Sequence, residues 1–175
     1  MNGVLVGAAA GVAATIPMTL VMETLHERLP GEPPRPLPPR EVVEGAAVKA
    51  GVHRELDERD MQQLTLAAHF GYGAACGAAF GLVAPRNVPT AIVAGMMFGL
   101  GVWAGSYLGW LPALGVRQSA MQDPRARSGL MITAHMVWGA AAGAIIGSTR
   151  QPRRVPRRAR RQDAAPQELY WPDQL

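Results

Sequence analysis

The chain has 175 residues, 49% of them hydrophobic, and a formal net charge of +4. These averages would suit a soluble domain, but the charges are segregated, because residues 1–22, 61–85, 87–116 and 128–149 contain no Asp, Glu, Lys or Arg. A single cysteine, Cys76, excludes an intrachain disulfide and a cysteine-based zinc site within one chain.

Each charge-free stretch is long enough to cross a bilayer, since about 20 apolar residues at about 1.5 Å rise span a hydrocarbon core of about 30 Å. We therefore predict an all-α, four-span transmembrane helical bundle made of two parallel-related helical hairpins with glycine-rich packing. The predicted spans are about 3–22, 61–83, 90–110 and 128–148, within one domain of residues 1–149.

The first span has glycines in small-xxx-small register, with Gly7 and Gly11 as predicted helix-packing positions. Pro17 should kink the helix, with Thr15 or Thr19 able to bond the freed backbone groups. No Lys or Arg precedes the apolar residues, so we interpret the segment as a retained span rather than a signal peptide.

Residues 26–60 form a long extramembrane loop, and six prolines lie between residues 30 and 39. After Pro39 the apolar residues return at helical spacing, on one face formed by Val42, Val43, Ala46, Ala47 and Ala50. This pattern predicts a short amphipathic helix on the membrane surface.

The second and fourth spans contain a repeat. AHFGYGAACGAAFG (68–81) and AHMVWGAAAGAIIG (134–147) share eight of fourteen residues at an offset of 66. The alignment equates His69 with His135 and Tyr72 with Trp138, and it predicts helix packing through Gly73, Gly77, Gly139 and Gly143.

The third span follows after a short connection, which predicts antiparallel neighbours. Its predicted packing glycines, Gly95 and Gly99, would correspond to Gly7 and Gly11 of the first span. A helix also places Trp103, Tyr107 and Trp110 on one face.

The two histidines lie seven or eight residues inside parallel spans, at one depth of roughly 10–12 Å. Trp103 and Thr15 fall at a similar depth on the other two spans. The sequence thus predicts a buried polar layer; its members are Thr15, His69, Tyr72, Trp103 and His135.

Three interpretations of this layer remain open. The histidines could be neutral and hold helices together in a structural or envelope-homeostasis module, or line a wet cavity for transport or sensing of a small solute, ion or proton. They could also bind haem or a metal as a facing pair. No cofactor is otherwise expected, and the absence of a nucleophile elbow, phosphate loop or carboxylate pair predicts no enzyme activity.

Residues 150–175 are predicted to be a basic, mostly disordered tail. Its arginines, including Arg153, Arg154, Arg157 and Arg158, have no acid among them and lack the interleaved aromatics of a nucleic-acid binder, so we predict contact with anionic lipids. By the positive-inside rule this tail favours cytoplasmic termini. The many glycine positions also predict a homo-oligomer.

Five motifs occur in one order: ATIPMT (14–19), LPPREV (37–42), HFGYGAACGAAFG (69–81), GVWAGSYLGWLPALG (101–115) and AHMVWGAAAG (134–143). In this combination the chain resembles the YagU-like family of small bacterial inner-membrane proteins of unknown function. The resemblance implies a location in the inner membrane and supplies no catalytic residues.

Overall fold

The computed structural model describes residues 2–28 and 36–150, and its regular structure is helical throughout that part of the chain. The helices are α1 (Gly3–His26), α2 (Pro38–Ala50), α3 (Glu58–Val83), α4 (Val88–Ala104), a π-helical segment (Gly105–Trp110), α5 (Leu111–Ala113) and α6 (Arg125–Arg150), with 3-10 turns at His53–Glu55 and Ala120–Gln122. The prediction of an all-α chain is confirmed.

Four helical stretches are long and apolar enough to cross a membrane: Gly3–His26, Glu58–Val83, Val88–Ala113 and Arg125–Arg150. Many of their large apolar side chains point outward, as hydrocarbon surroundings would allow, and Leu5, Leu82 and Val83 are each about 70% exposed. The coarse prediction of four membrane-spanning lengths is confirmed.

Short polar side chains begin three of these helices. Asn2 accepts a hydrogen bond from Val4 N, Asp57 accepts one from Asp60 N at 2.8 Å, and the Asn87 side chain caps α4 in the same way. Each cap satisfies one backbone N–H that has no partner within its helix. The caps explain why the second span begins at Glu58, three residues before the apolar run.

The long helices contact one another in the order α3, α1, α6, α4. The two outer helices, α3 and α4, follow one another in sequence but hardly touch. Because α6 lies between α1 and α4, it carries the largest number of buried side chains of any helix in the described chain. The bundle is therefore open along one side, between α3 and α4.

Glycines lie where α1 and α3 meet. A Cβ added to Gly77 would fall against the carbonyl oxygen of Gly7 and the backbone of Gly11, and a Cβ on Gly11 would meet the carbonyl of Gly73. Since backbone atoms cannot rotate away as side-chain ends can, a methyl group here would push the helices apart.

The α4–α6 contact has the same character. A Cβ on Gly95 would meet the carbonyl of Gly139 and approach Gly143, while one on Gly99 would meet the carbonyl of His135. All eight glycines predicted for helix packing thus face another helix of the same chain.

The facing positions also give a register between α1 and α4. Gly11 faces Gly73 and Gly77, whereas Gly95 faces Gly139 and Gly143, which lie 66 residues further along the chain. Gly11 therefore corresponds to Gly95, and Thr15, four residues later, corresponds to Gly99. The predicted match of Gly7 with Gly95 is therefore displaced by one helical turn. Glycines recur every four residues in both helices, so the sequence spacing alone fits either register.

The basis for the predicted homo-oligomer changes with this packing. Gly7 and Gly99, two of the many glycines behind that prediction, both face another helix within the chain. The homo-oligomer stays a prediction, and these two glycines no longer argue for it.

The third span is interrupted rather than uniform. Gly109 has φ −107° and ψ −105°, and the backbone N–H of Leu111 donates to the carbonyl of Ser106, five residues earlier. Pro112 has no N–H to donate to the carbonyl four residues before it, so the regular α pattern cannot continue through this point. The wide turn over Gly105–Trp110 replaces the uninterrupted helix predicted for 90–110.

At the opposite end of the bundle, Arg150 donates to the carbonyl oxygens of Gly81 and Ala84. A cation at the end of α3 favourably meets the carbonyls that have no partner within the helix. The first residue of α1, Gly3, lies beside the same group. The tail arginines Arg153, Arg154, Arg157 and Arg158 lie outside the described residues.

Candidate functional site

A cavity of about 210 Å³ lies inside the bundle, at the level of the two histidines. Side chains from α1, α3, α6 and the π-helical segment surround it, and Pro39, Val42 and Val43 of α2 lie over one end. Most of its lining is apolar, and no Asp, Glu, Lys or Arg is among the described residues that line it. The polar side-chain groups of the lining belong to Thr15, His69, Tyr72, Cys76, Ser106, Tyr107, His135 and Trp138.

His69 links α3 to α1. Its Nε2 lies 3.2 Å from Thr19 Oγ1, and that hydroxyl donates its single proton to the carbonyl of Thr15, 2.9 Å away. The hydroxyl can therefore only accept from the imidazole, so the proton of neutral His69 is on Nε2. Its Nδ1 is left as a hydrogen-bond acceptor.

His135 is more deeply buried, with 6% of its surface exposed. Its Nδ1 lies 2.8 Å from the carbonyl oxygen of Met131, which can only accept, so this nitrogen carries the proton. The edge of the ring is packed against Tyr107, with centroids 6.0 Å apart and planes at 83°. Its Nε2 is consequently an acceptor.

Side chains close the gap between α3 and the interrupted third span. The hydroxyls of Tyr72 and Ser106 are hydrogen-bonded at 2.8 Å, and the Tyr72 ring lies 6.2 Å from Trp110. Further along the gap, Phe80 and Phe98 meet with ring centroids 5.1 Å apart. These bridges are made by side chains rather than by helix backbones in contact.

Four of the five residues predicted for the polar layer line this cavity, namely Thr15, His69, Tyr72 and His135. Trp103 does not. Its indole N–H is buried and has no hydrogen-bond partner among the described residues. In the register of the two halves Trp103 occupies the place of Thr19, so the second half has no hydroxyl at that position.

Sequence reasoning missed three contributors to the site. Thr19, four residues after Thr15 on the same face of α1, is the partner of His69. Ser106 became a lining residue through the π-helical segment, which the apolar pattern did not indicate. Trp138 donates its indole N–H to the carbonyl of Gly11 at 3.1 Å, a contact for which its alignment with Tyr72 was the available signal.

A cluster of charged residues lies beyond the α2 end of the cavity. Glu41 Oε2 of α2 lies 3.1 Å from Arg117 Nε and 3.1 Å from Arg127 Nη2. Arg117 Nη2 also donates to both carboxylate oxygens of Asp123, to Oδ2 at 2.8 Å and to Oδ1 at 3.1 Å. Arg127 is only 1% exposed, which is unusual for an arginine outside a paired site.

Electrostatics favour the charged form of Arg117. Burial of Arg117 opposes its charge, but the carboxylates of Asp123 and Glu41 outweigh that effect and raise the pKa of Arg117. Its guanidinium also lies 4.9 Å from the centre of the Tyr107 ring. Since Tyr107 in turn contacts His135, the charged cluster and the cavity share a wall.

α2 differs from the predicted surface helix in its position. Its valines Val42 and Val43 face the cavity and Ala47 is buried, whereas Ala46 and Ala50 are exposed. Glu41 joins this helix to Arg117 and Arg127, and Arg40 joins it to Glu58 of α3 at 2.8 Å, so α2 covers one end of the bundle.

Comparison with known proteins identified no family model, no curated protein and no solved structure that matches this chain. The resemblance to YagU-like proteins therefore stays a prediction. Within residues 2–28 and 36–150, no group of three or more His, Cys, Asp or Glu side chains is placed to hold a metal ion.

Proposed function

We propose that this chain is a multi-pass protein of the bacterial inner membrane that binds a small membrane-soluble molecule in the histidine-lined cavity, for sensing or transport. The observation that carries the proposal is the cavity itself, a mostly apolar space into which hydrogen-bonding groups project from several helices. Small-molecule sites commonly combine an apolar lining with a few polar groups in this way.

The apolar lining also supports a ligand. An occupant of the cavity would gain van der Waals contacts with the side chains around it.

The structural-module alternative has one specific observation in its favour. His69 bonds Thr19 across α1 and α3, so this histidine helps to hold two helices together without any ligand. The haem alternative is less well supported, because the cavity is smaller than the roughly 300–1,000 Å³ typical of pockets for drug-sized ligands. We propose no enzyme activity and no resident cofactor.

The native Cys76 thiol gives a direct test, because it lines the cavity and is the only cysteine of the chain. In native membranes, we expect propylbenzene to slow the reaction of Cys76 with N-ethylmaleimide. The control is Cys76→Ser combined with Val83→Cys, which moves the thiol to a position on the same helix that is 72% exposed. Equal slowing at both positions would mean a general membrane effect and would leave the structural role as the better proposal.

We also propose that the two related helical hairpins, α1 with α3 and α4 with α6, place both termini in the cytoplasm, with lipid contact and self-association as further properties. The proximity of Gly3, Arg150 and the α3–α4 connection supports a common side for the termini. A green fluorescent protein fused after residue 175 should fluoresce, and alkaline phosphatase fused there should be inactive. The reverse result would invert the proposed topology.

A further inference from the structure

The cavity has a defined hydrogen-bonding character. His135 Nδ1 is committed to Met131, and no described group hydrogen-bonds its Nε2. The His135 ring lines the cavity, so a molecule there can reach this nitrogen. The atom is an acceptor and requires a donor from whatever occupies the space.

The charge of the occupant is limited by the same lining. None of the described lining residues is an acid, a lysine or an arginine, so an ionised ligand would have no fixed counter-charge. Moving an unpaired charge into such a site is costly, and a neutral imidazole cannot compensate a second neutral acceptor. The lining therefore favours a neutral molecule that carries a hydrogen-bond donor.

The route into the cavity favours a molecule already dissolved in the bilayer. α2 covers one end with Val42 and Val43, and Glu41 fastens that helix to two buried arginines. The open side lies between α3 and α4, where only side chains bridge the gap. The Tyr72–Ser106 pair lies at this opening, and its residues can change rotamer without moving a helix.

We infer that the cavity recognises a small neutral alcohol or phenol from the hydrocarbon phase, whose hydroxyl donates to His135 Nε2. This inference rests on the proposed ligand-binding function and adds the chemical class of the ligand. A molecule of the same shape without the hydroxyl fills the apolar space but leaves the imidazole acceptor without a donor.

Two probes of nearly the same shape test the inference: 4-propylphenol and 4-propyltoluene, in which a methyl group replaces the hydroxyl. Protection of Cys76 from N-ethylmaleimide is measured against the mole fraction of each probe in the membrane, with the thiol moved to position 83 as the control. We expect half-protection by the phenol at about three- to tenfold lower mole fraction, as one net hydrogen bond provides. In His135→Phe, which keeps a ring but removes Nε2, the two probes should protect equally, whereas the preference for the phenol should persist in His69→Phe, which removes the other imidazole acceptor of the lining.

The outcomes separate the inference from the function on which it rests. Equal protection by both probes in the wild type overturns donor recognition while ligand binding stands. Protection by neither probe overturns both. A preference for the phenol that survives His135→Phe refutes the assignment to His135, and the wild-type comparison remains decisive if that variant does not fold.

Discussion

Gly77 shows how a single missing side chain determines the distance between two helices. The position that its Cβ would occupy is taken by the carbonyl oxygen of Gly7, with the backbone of Gly11 close behind. On the same helix, Gly71 has no atom within 4 Å of the corresponding position. Because the two glycines lie in the same helix, comparing their substitutions isolates the effect of the close contact with α1.

We therefore expect Gly77→Ala to destabilise the protein by roughly 1–3 kcal/mol, because the added methyl group forces α1 and α3 apart. Gly71→Ala should be neutral or stabilise by up to about 1 kcal/mol, since alanine is the better helix former. Thermal unfolding in a mild detergent measures both. A similar loss in the two variants would mean that helix propensity or lipid contact, rather than the close approach, governs these positions.

The polar positions were only partly predictable from the residues. The repeat equates His69 with His135, but their partners differ, because Thr19 in the first half corresponds to Trp103 in the second. The number of residues from the end of a span predicts the depth of a side chain in the membrane, but it does not tell which face of the helix the side chain occupies. For this reason the predicted polar layer included Trp103, which lies away from the cavity.

At the scale of elements, ion pairs of Glu41 hold α2 in place, although the sequence pattern alone predicts that such charged residues face solvent. Glu41 is separated by 76 residues from Arg117 and by 86 from Arg127, so no local periodicity indicates that they meet. The amphipathic spacing after Pro39 predicts a helix, whereas the docking of that helix depends on these distant partners. Breaking a buried ion pair by neutralising one partner leaves the other charge uncompensated.

Glu41→Gln should loosen α2, because two buried arginines lose their shared negative charge. We expect a loss of stability of roughly 1–3 kcal/mol and a several-fold faster reaction of Cys76 with a water-soluble maleimide, as the covered end of the cavity opens. The matched control is Glu44→Gln on the same helix, which affects only the pairing with Arg40. Unchanged Cys76 reactivity in Glu41→Gln would show that α2 does not limit access from this end.

A second element depends on chemistry too local for hydropathy to reveal. The charge-free run predicts a third span through residue 110, yet Pro112 removes one N–H and Gly109 tolerates a non-helical backbone, and together they produce the π-helical segment. The wide turn brings Ser106 and Tyr107 to the cavity. These two lining residues thus depend on an irregularity rather than on the regular apolar pattern.

On the scale of the whole molecule, hydropathy predicted the four long helices because bilayer thickness sets a minimum length for an uncharged run. Hydropathy could not predict which of the four helices pack against each other, since none of them has a polar face. Glycine positions supply the missing information only once the facing residue is known, since Gly95 corresponds to Gly11 and not, as predicted, to Gly7, one helical turn away.

The two glycine contacts should contribute independently to stability, because they belong to different helix pairs joined only through α1 and α6. Gly143 is the repeat equivalent of Gly77, and a Cβ there would meet the carbonyl of Ala91 just as one on Gly77 meets that of Gly7. We expect Gly143→Ala to cost about as much as Gly77→Ala, and the double variant to show the sum within about 0.5 kcal/mol.

Unfolding of the single and double variants in one detergent measures this coupling, with Gly71→Ala added to each as the neutral background. If the two contacts are independent, one hairpin can loosen while the other remains packed, because the α1–α3 pair and the α4–α6 pair have no helix in common. A double variant that loses much less than the sum would instead mean that the first substitution already separates both pairs. In that case the bundle would behave as one cooperative unit held mainly by α1 and α6, and the repeat would have no energetic counterpart.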